Sequence, residues 1–310
     1  MKKIPVIMDC DPGHDDAIAL IMAHASDEID IKAVTTVAGN QTIDKTTLNA
    51  LKVLSYIGAD VPVARGCSKP LLRELQTAPS VHGVSGLDGP NLPDPTLKLS
   101  PMSAIELMAS VVRDSKEKIT LVPTAPLTNI ALFLITYPEL KNKIEQISLM
   151  GGSCFGGNWT PSAEFNILVD PEAAQVVFDS GIPIIMSGLD VTHKAIITEE
   201  DNESFRRIGT KAGILVAELL DHFVKFHDET FNFGGSPLHD PCTVAWLLKP
   251  SLFKSKMCHV DIETQGKYTT GCTVVDYWDV LKKKKNVEVL FDIDRKGFVE
   301  LISECLKKLD

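Results

Sequence analysis

Short apolar runs rich in β-branched residues alternate along this chain with longer stretches of helical periodicity. The runs at 4–8, 31–37, 61–64, 119–122, 147–150 and 183–186 read as buried strands. The stretches at 15–25, 45–57, 104–114, 127–136 and 171–180 read as helices between them. Alternation of this kind builds βαβ units and predicts an α/β fold, a doubly wound, mostly parallel sheet with helices on both faces. Beyond Thr198 the pattern turns helical at 211–226 and 242–248 and β-rich at 272–278 and 287–293, and it ends in a helix at 297–309. No internal repeat, low-complexity tract or flexible linker interrupts it, so residues 1–310 are expected to form one large domain. Residues 68–101 break the alternation. They are rich in Pro, Gly and Ser, which in a compact fold points to a functional loop or a disordered insert.

Charge narrows the classes. A formal net charge of −10 argues against a nucleic-acid backbone or an anionic membrane as the main partner. The lysines at 282–285 and 307–308 are expected to be solvated faces. No apolar stretch is long enough to predict a transmembrane helix. The run after Met1-Lys2-Lys3 is too short for a secretory signal core and reads as the first strand. The seven cysteines are scattered and include no C-x-x-C pair, so free thiols in a reducing, cytoplasmic setting are expected, with no zinc site.

Chemistry concentrates where the first strand ends. Met8-Asp9-Cys10-Asp11-Pro12-Gly13-His14-Asp15-Asp16 packs four carboxylates around a Pro-Gly turn. Like charges this close repel, and a hard divalent cation among them relieves the repulsion. A helix cap explains one or two of these aspartates, not four. Cys10 reads as a small buried filler, because carboxylate neighbours raise a thiol pKa.

Four further stretches carry polar groups at strand ends or in loops: Pro123-Thr124-Ala125-Pro126-Leu127-Thr128-Asn129, Met150-Gly151-Gly152, the loop from Gly157 to Asn166, and Leu238-His239-Asp240-Pro241. Amides and a carboxylate in the third suit sugar hydroxyls. Each stretch also has a plain structural reading, such as a turn, a surface loop or a helix N-cap at Asp240. His14, His24 and His222 read as helix-surface or satisfied core residues. Phe223, His227 and Phe231 share one helix face, either as a wall for an aromatic ligand or as a core stripe.

Taken together, the five stretches resemble the nucleoside hydrolase family, the ribonucleoside N-glycosidases. The opening Asp-Cys-Asp-Pro-Gly-His-Asp-Asp matches that family's signature, and the other stretches follow in its order from the first strand to the last helix. The resemblance is nearest to the pyrimidine-preferring bacterial members, which carry histidines like His82 and His239. Ala125 departs from the Gly of many members and touches backbone freedom rather than a ligand. The resemblance implies one Ca²⁺ held by Asp11, Asp16, Asp240 and the main-chain carbonyl of Thr124. It implies that Asp15 and Asn166 hold ribose hydroxyls, Asn158 and Glu164 the 5′-hydroxyl end, and Asn40 the sugar near the attacking water. Met150 would floor the ribose; on the helix-face reading above, Phe223, His227 and Phe231 could wall the nucleobase, with a core stripe as the alternative. Asp11 would act as general base on a water activated by the ion, with His239 and His82 assisting the departing base. The implied substrates are uridine and cytidine, used in nucleoside salvage, and the implied assembly is a homodimer or homotetramer.

Two rivals follow from the residues alone. Asp9-Cys10-Asp11 after a strand also resembles the start of a haloacid-dehalogenase-type phosphatase, although Gly13 stands where those enzymes usually carry Thr or Val. A calcium-dependent nucleoside-binding protein without turnover would need neither Asp11 nor His239 as proton-transfer groups.

Overall fold

The computed structural model describes residues 3–231 and 233–310, and the side chains of these apart from 225–231. The described residues form twelve strands: β1 (Ile4–Cys10), β2 (Ile29–Thr36), β3 (Val63–Arg65), β4 (Ile119–Pro123), β5 (Ile144–Met150), β6 (Ile184–Ser187), β7 (Ile196–Ile197), β8 (Ser236–Pro237), β9 (Phe253–Cys258), β10 (Val260–Ile262), β11 (Thr273–Val275) and β12 (Val287–Ile293). Eight of them make one sheet in the order β3-β2-β1-β4-β5-β6-β12-β9. All neighbours run parallel except β12 and β9, which are antiparallel.

Period-two alternation splits the core into two layers. Val6, Met8 and Cys10 of β1 and Leu290 of β12 pack on one face with helices His14–Ala25, Ile43–Tyr56 and Arg295–Leu306. Ile7 of β1 and Val287 and Val289 of β12 pack on the other with helices Ala104–Asp114, Thr128–Thr136 and Pro171–Phe178. Apolar groups on both faces explain why these strands read as continuous hydrophobic runs. The helix His14–Ala25 is the most enclosed; every residue but His24 is buried.

Three features go beyond what the pattern predicts. β9 has the sequence FKSKMC, a largely polar edge strand whose inward residues are Phe253 and Cys258. The β-rich run at 272–278 does not join the main sheet; β11 pairs with β10 in a separate antiparallel ribbon. Residues 68–101 are not structureless, for they hold a one-turn helix, Pro79–His82. This segment is also pinned to the body. Arg73 donates to both carboxylate oxygens of Glu172, at 2.7 and 2.9 Å, and to the Thr264 carbonyl at 2.7 Å. The lysines at 282–285 and 307–308 are exposed, as expected of solvated faces. Among the described residues no helix is long and apolar enough to cross a membrane.

In an open parallel sheet a ligand crevice forms at the carboxyl ends of the strands, where the strand order reverses. Here that point lies between β1 and β4, so Asp11 and Thr124 leave the sheet side by side, tied by a bond from Thr124 N–H to the Asp9 carbonyl at 2.9 Å.

Candidate active site

The aspartates after β1 are all buried, and the chain around them is folded to hold them. Asp9 stays in the sheet, where its Oδ1 accepts from Thr35 Oγ1 at 2.6 Å and Asn129 Nδ2 at 2.8 Å. Asp11 Oδ2 accepts from the Asn40 main-chain N–H at 2.6 Å, whereas its Oδ1 has no hydrogen-bond partner among the described residues. Asp16 accepts from Gly13 N–H at 3.0 Å and from Thr124 Oγ1 at 2.8 Å. It thus caps its helix and faces β4 at once. Asp240 stands at the N-cap of helix Pro241–Leu248, yet its side chain makes no capping bond, so the cap alone does not explain it.

One carboxylate oxygen from each of Asp15, Asp16 and Asp240 lies within 4.8 Å of the others, a group that could hold a metal ion. Sequence reasoning named Asp11 with Asp16 and Asp240; the trio that meets this spacing has Asp15 in place of Asp11, with the Asp11 charge felt nearby. All these groups titrate high. Burial, then the neighbouring Asp16, raises Asp15 to about 7. Burial and nearby carboxylates push Asp11 and Asp240 well above the usual range. Burial also raises Asp9 to about 7. Buried carboxylates that raise one another, with an unpartnered oxygen among them, form a donor set of hard oxygens suited to a divalent cation, which would reverse these shifts. Cys10 is enclosed beside them, and burial and the carboxylates push its thiol up, as expected of a filler.

Above the carboxylates opens a pocket lined by Asp15, Asn40, Ala78, Val81, His82, Thr124, Met150, Asn158, Trp159, Glu164, Phe165, Asn166, His193, Phe223, Phe233, His239 and Asp240. Asn166 Nδ2 donates to the Thr124 carbonyl at 3.1 Å and the Met150 carbonyl at 3.3 Å, which fixes the amide over the ends of β4 and β5. Glu164 is the N-cap of helix Phe165–Val169 and accepts from the N–H groups of Asn166, Ile167 and Gly152. Burial nonetheless raises it to about 7. Asn158 Oδ1 accepts from Phe165 N–H at 3.0 Å. Both residues expected at the 5′ end of a sugar therefore also hold the loop in shape.

The imidazoles form the wall. His239 Nδ1 lies 2.8 Å from Thr192 Oγ1. His82 Nδ1 lies 3.2 Å from His14 Nδ1 and 3.4 Å from the His14 main-chain N. The side chains of His227 and Phe231 lie outside the described residues, whereas Phe223, from the same face, stacks on His14 and His82. Sequence reasoning missed His193 and Phe233, whose rings lie 5.0 Å apart. His193 closes the short helix Leu189–Thr192 that follows β6, a position that no local pattern marks as functional. Sequence reasoning also left His14 as a core or surface residue, and the structure buries it against His82.

Gly39 shows how tightly the floor is packed. A Cβ there would overlap Asp11 Oδ2 and meet the Pro126 ring at 2.7 Å. Gly39→Ala is expected to cost about 2 kcal/mol or more of stability and to weaken metal affinity at least tenfold. Thermal melts and calcium titration check this.

The family described as inosine-uridine preferring nucleoside hydrolase matches residues 6–300. The chain is 57% identical over 306 residues to the pyrimidine-specific ribonucleoside hydrolase RihA of Escherichia coli K12, covering 98% of each. It superposes with a TM-score of 0.91 on a purine-preferring ribonucleoside hydrolase from Gardnerella vaginalis, at 31% identity and 98% coverage of both chains. A plant nucleoside hydrolase, PpNRh1, gives 0.90 at 33% identity, covering 98% of this chain and 99% of the other. The phosphatase reading falls with these findings and on geometry, because Asp9 is buried in the sheet and does not line the pocket. A chain with this sheet, this crevice and these relatives belongs to the inosine-uridine preferring nucleoside hydrolase family and is a ribonucleoside hydrolase acting on N-glycosyl bonds.

Proposed function

We propose that this enzyme is a calcium-dependent hydrolase of pyrimidine ribonucleosides, releasing base and ribose from uridine and cytidine for nucleoside salvage. The observation that carries the reading is one pocket with a floor of carboxylates and a wall bearing His82 and His239. The identity to the pyrimidine-specific E. coli enzyme supports the base preference.

Asp11, Asp16, Asp240 and the Thr124 carbonyl would hold the calcium, with Asp15 alongside, an all-oxygen set. Bound there, calcium offsets the carboxylate repulsion and makes a water more acidic. Asn40 N–H holds Asp11 Oδ2. Oδ1 is then the base that takes the water's proton as the water attacks C1′. Asp15 and Asn166 hold ribose hydroxyls, Asn158 and Glu164 the 5′ end, Asn40 the sugar, and Met150 the underside. The bond from C1′ to the base nitrogen breaks toward an oxocarbenium-like sugar, whose charge the surrounding carboxylates and amide oxygens stabilise. His82 and His239 supply the proton the departing base requires. Thr192 Oγ1, 2.8 Å from Nδ1, orients the His239 ring. A single displacement inverts the anomeric centre.

Ribose release from uridine, cytidine, inosine and adenosine, with and without a chelator, tests the reading. The pyrimidine nucleosides are expected to react at least tenfold faster, and complete metal removal to abolish activity. Equal rates on inosine would defeat the base preference, and full activity after metal removal the calcium requirement.

A further inference from the structure

The run Gly152-Ser153-Cys154-Phe155 follows β5 and leads into the loop that carries Asn158 and Glu164. Its main-chain groups are held from three sides. Gly152 N–H donates to Glu164 Oε2 at 2.9 Å, and the Gly152 carbonyl accepts from Leu189 N–H at 2.9 Å. The N–H groups of Cys154 and Phe155 donate to the Asp190 carboxylate at 2.6 and 3.1 Å. Between them, Ser153 turns to a side chain 120 positions away. Thr273 Oγ1 accepts from Ser153 N–H at 2.8 Å and donates to the Ser153 carbonyl at 2.6 Å. Thr273 is buried in β11, in the ribbon that stands outside the main sheet, and none of the roles above uses it.

The same ribbon bears on the other partner of the Gly152–Glu164 bond. Two of the N–H groups that Glu164 accepts from, those of Asn166 and Ile167, belong to the helix it caps. Gly152 N–H instead ties the carboxylate to the end of β5. Against that helix lies Gly271, where a Cβ would meet Leu168 Cα at 2.7 Å. On the loop side, Gly152 has a φ of +73°, and a Cβ there would meet Thr273 Cγ2 at 2.6 Å. Thr273 thus braces the loop while Gly271, two residues before it, abuts the helix. Without the Thr273 hydroxyl, a buried N–H and a buried carbonyl of Ser153 lose their partner, and the loop must shift to satisfy them.

We propose that Thr273 is a positioning residue for the 5′ end of the sugar. Its hydroxyl fixes Ser153, so that Gly152 N–H holds the Glu164 carboxylate where the 5′-hydroxyl of the nucleoside meets it. This rests on the proposed role of Glu164 at that end. Thr273 touches neither substrate nor ion; it acts through Ser153 and Gly152. The strength of a hydrogen bond falls steeply as its geometry departs from the optimum, so a small shift of the loop is felt at the sugar. The ribbon β10–β11, which adds nothing to the main sheet, thereby acquires a task in substrate recognition.

The test compares kcat/KM on uridine with kcat/KM on 5′-deoxyuridine, which lacks the hydroxyl, using the calcium-loaded full chain. Thr273→Val keeps the shape of the side chain and removes its hydroxyl. It is expected to lower kcat/KM on uridine roughly 10-fold, the effect of weakening one hydrogen bond to a charged group, and on 5′-deoxyuridine less than about threefold. Thr273→Ala, a second variant without the hydroxyl, is expected to lower the uridine-to-deoxyuridine ratio likewise. Thr273→Ser, which keeps the hydroxyl, is expected to leave that ratio within about twofold of the unaltered chain. Glu164→Ala is expected to show the same selective loss, and Thr273→Val/Glu164→Ala no further fall in the ratio than Glu164→Ala. Equal loss on both substrates would make Thr273 merely structural and overturn the inference. A ratio lowered by Glu164→Ala but unchanged by Thr273→Val and Thr273→Ala would overturn it as well. A ratio unchanged by Glu164→Ala would remove the 5′ role of Glu164, and the inference with it.

Discussion

Asp11→Asn is expected to lower kcat on uridine roughly 1,000- to 10,000-fold, the upper range for loss of a general base. That corresponds to about 4–5.5 kcal/mol of transition-state stabilisation. The effect is large because the geometry leaves one oxygen for the task. Oδ2 is held by Asn40 N–H, and Oδ1 is the oxygen without a hydrogen-bond partner among the described residues. An amide keeps the size of the side chain and can still accept at one atom, but it takes no proton. Loss of either pocket histidine is expected to cost less, about 100-fold, because His82 and His239 can each serve the departing base. Single-turnover rates, measured alongside calcium affinity by calorimetry, separate loss of the base from loss of the ion. Near-normal turnover in a calcium-loaded Asp11→Asn protein would defeat the assignment of Asp11.

Calcium removal is expected to change the pH dependence of stability as well as abolish activity. An exposed Asp in the unfolded chain titrates near 4. Burial raises Asp9 and Asp15 to about 7 in the metal-free fold. Between those values the folded state binds more protons than the unfolded state, so stability falls as pH rises. The contribution is fully present below about 4 and is gone once pH passes about 7, and Asp11 and Asp240, pushed higher still, extend the fall upward. Calcium needs the same groups ionised, so its binding strengthens over the range in which the empty cluster destabilises. Calcium at 1,000 times its pH 8 Kd corresponds to about 4 kcal/mol at pH 8, and the same concentration is expected to raise Tm clearly less at pH 5, where its Kd is weaker. Thermal melts at both pH values, with chelator and with calcium, check it. A calcium-induced rise in Tm larger at pH 5 than at pH 8 would contradict the cluster as the binding site.

Much of this was legible along the chain because the relevant signals are local. The acidic run after Met8 is visible in any window, and the strands on either side of it carry apolar residues on both faces. β9 was hidden for the opposite reason. An edge strand buries only part of one face, and Lys254, Ser255 and Lys256 break the hydrophobic run. The His14–His82 contact was also out of reach, since it joins a helix start to a loop whose course no local pattern gives. Sequence reasoning left His14 as a helix-surface or core residue; its burial decides for the core, and its partners lie far along the chain. Glu164 shows a further limit. Its residue type suits a sugar hydroxyl equally well as a helix cap, and the structure has it capping a helix from within the pocket.

The separation of the floor residues has a consequence for biosynthesis. Asp11, Asp15 and Asp16 are translated almost first, whereas Asp240 is added only after most of the sheet has been made. The central strand β1 likewise waits for β4 before both its edges are paired. A nascent chain therefore carries a cluster of mutually repelling acids without the residue that closes their cage. On the proposed reading, tight capture of a cation requires Asp240, so ion uptake would follow the making of β1 to β6 rather than guide it.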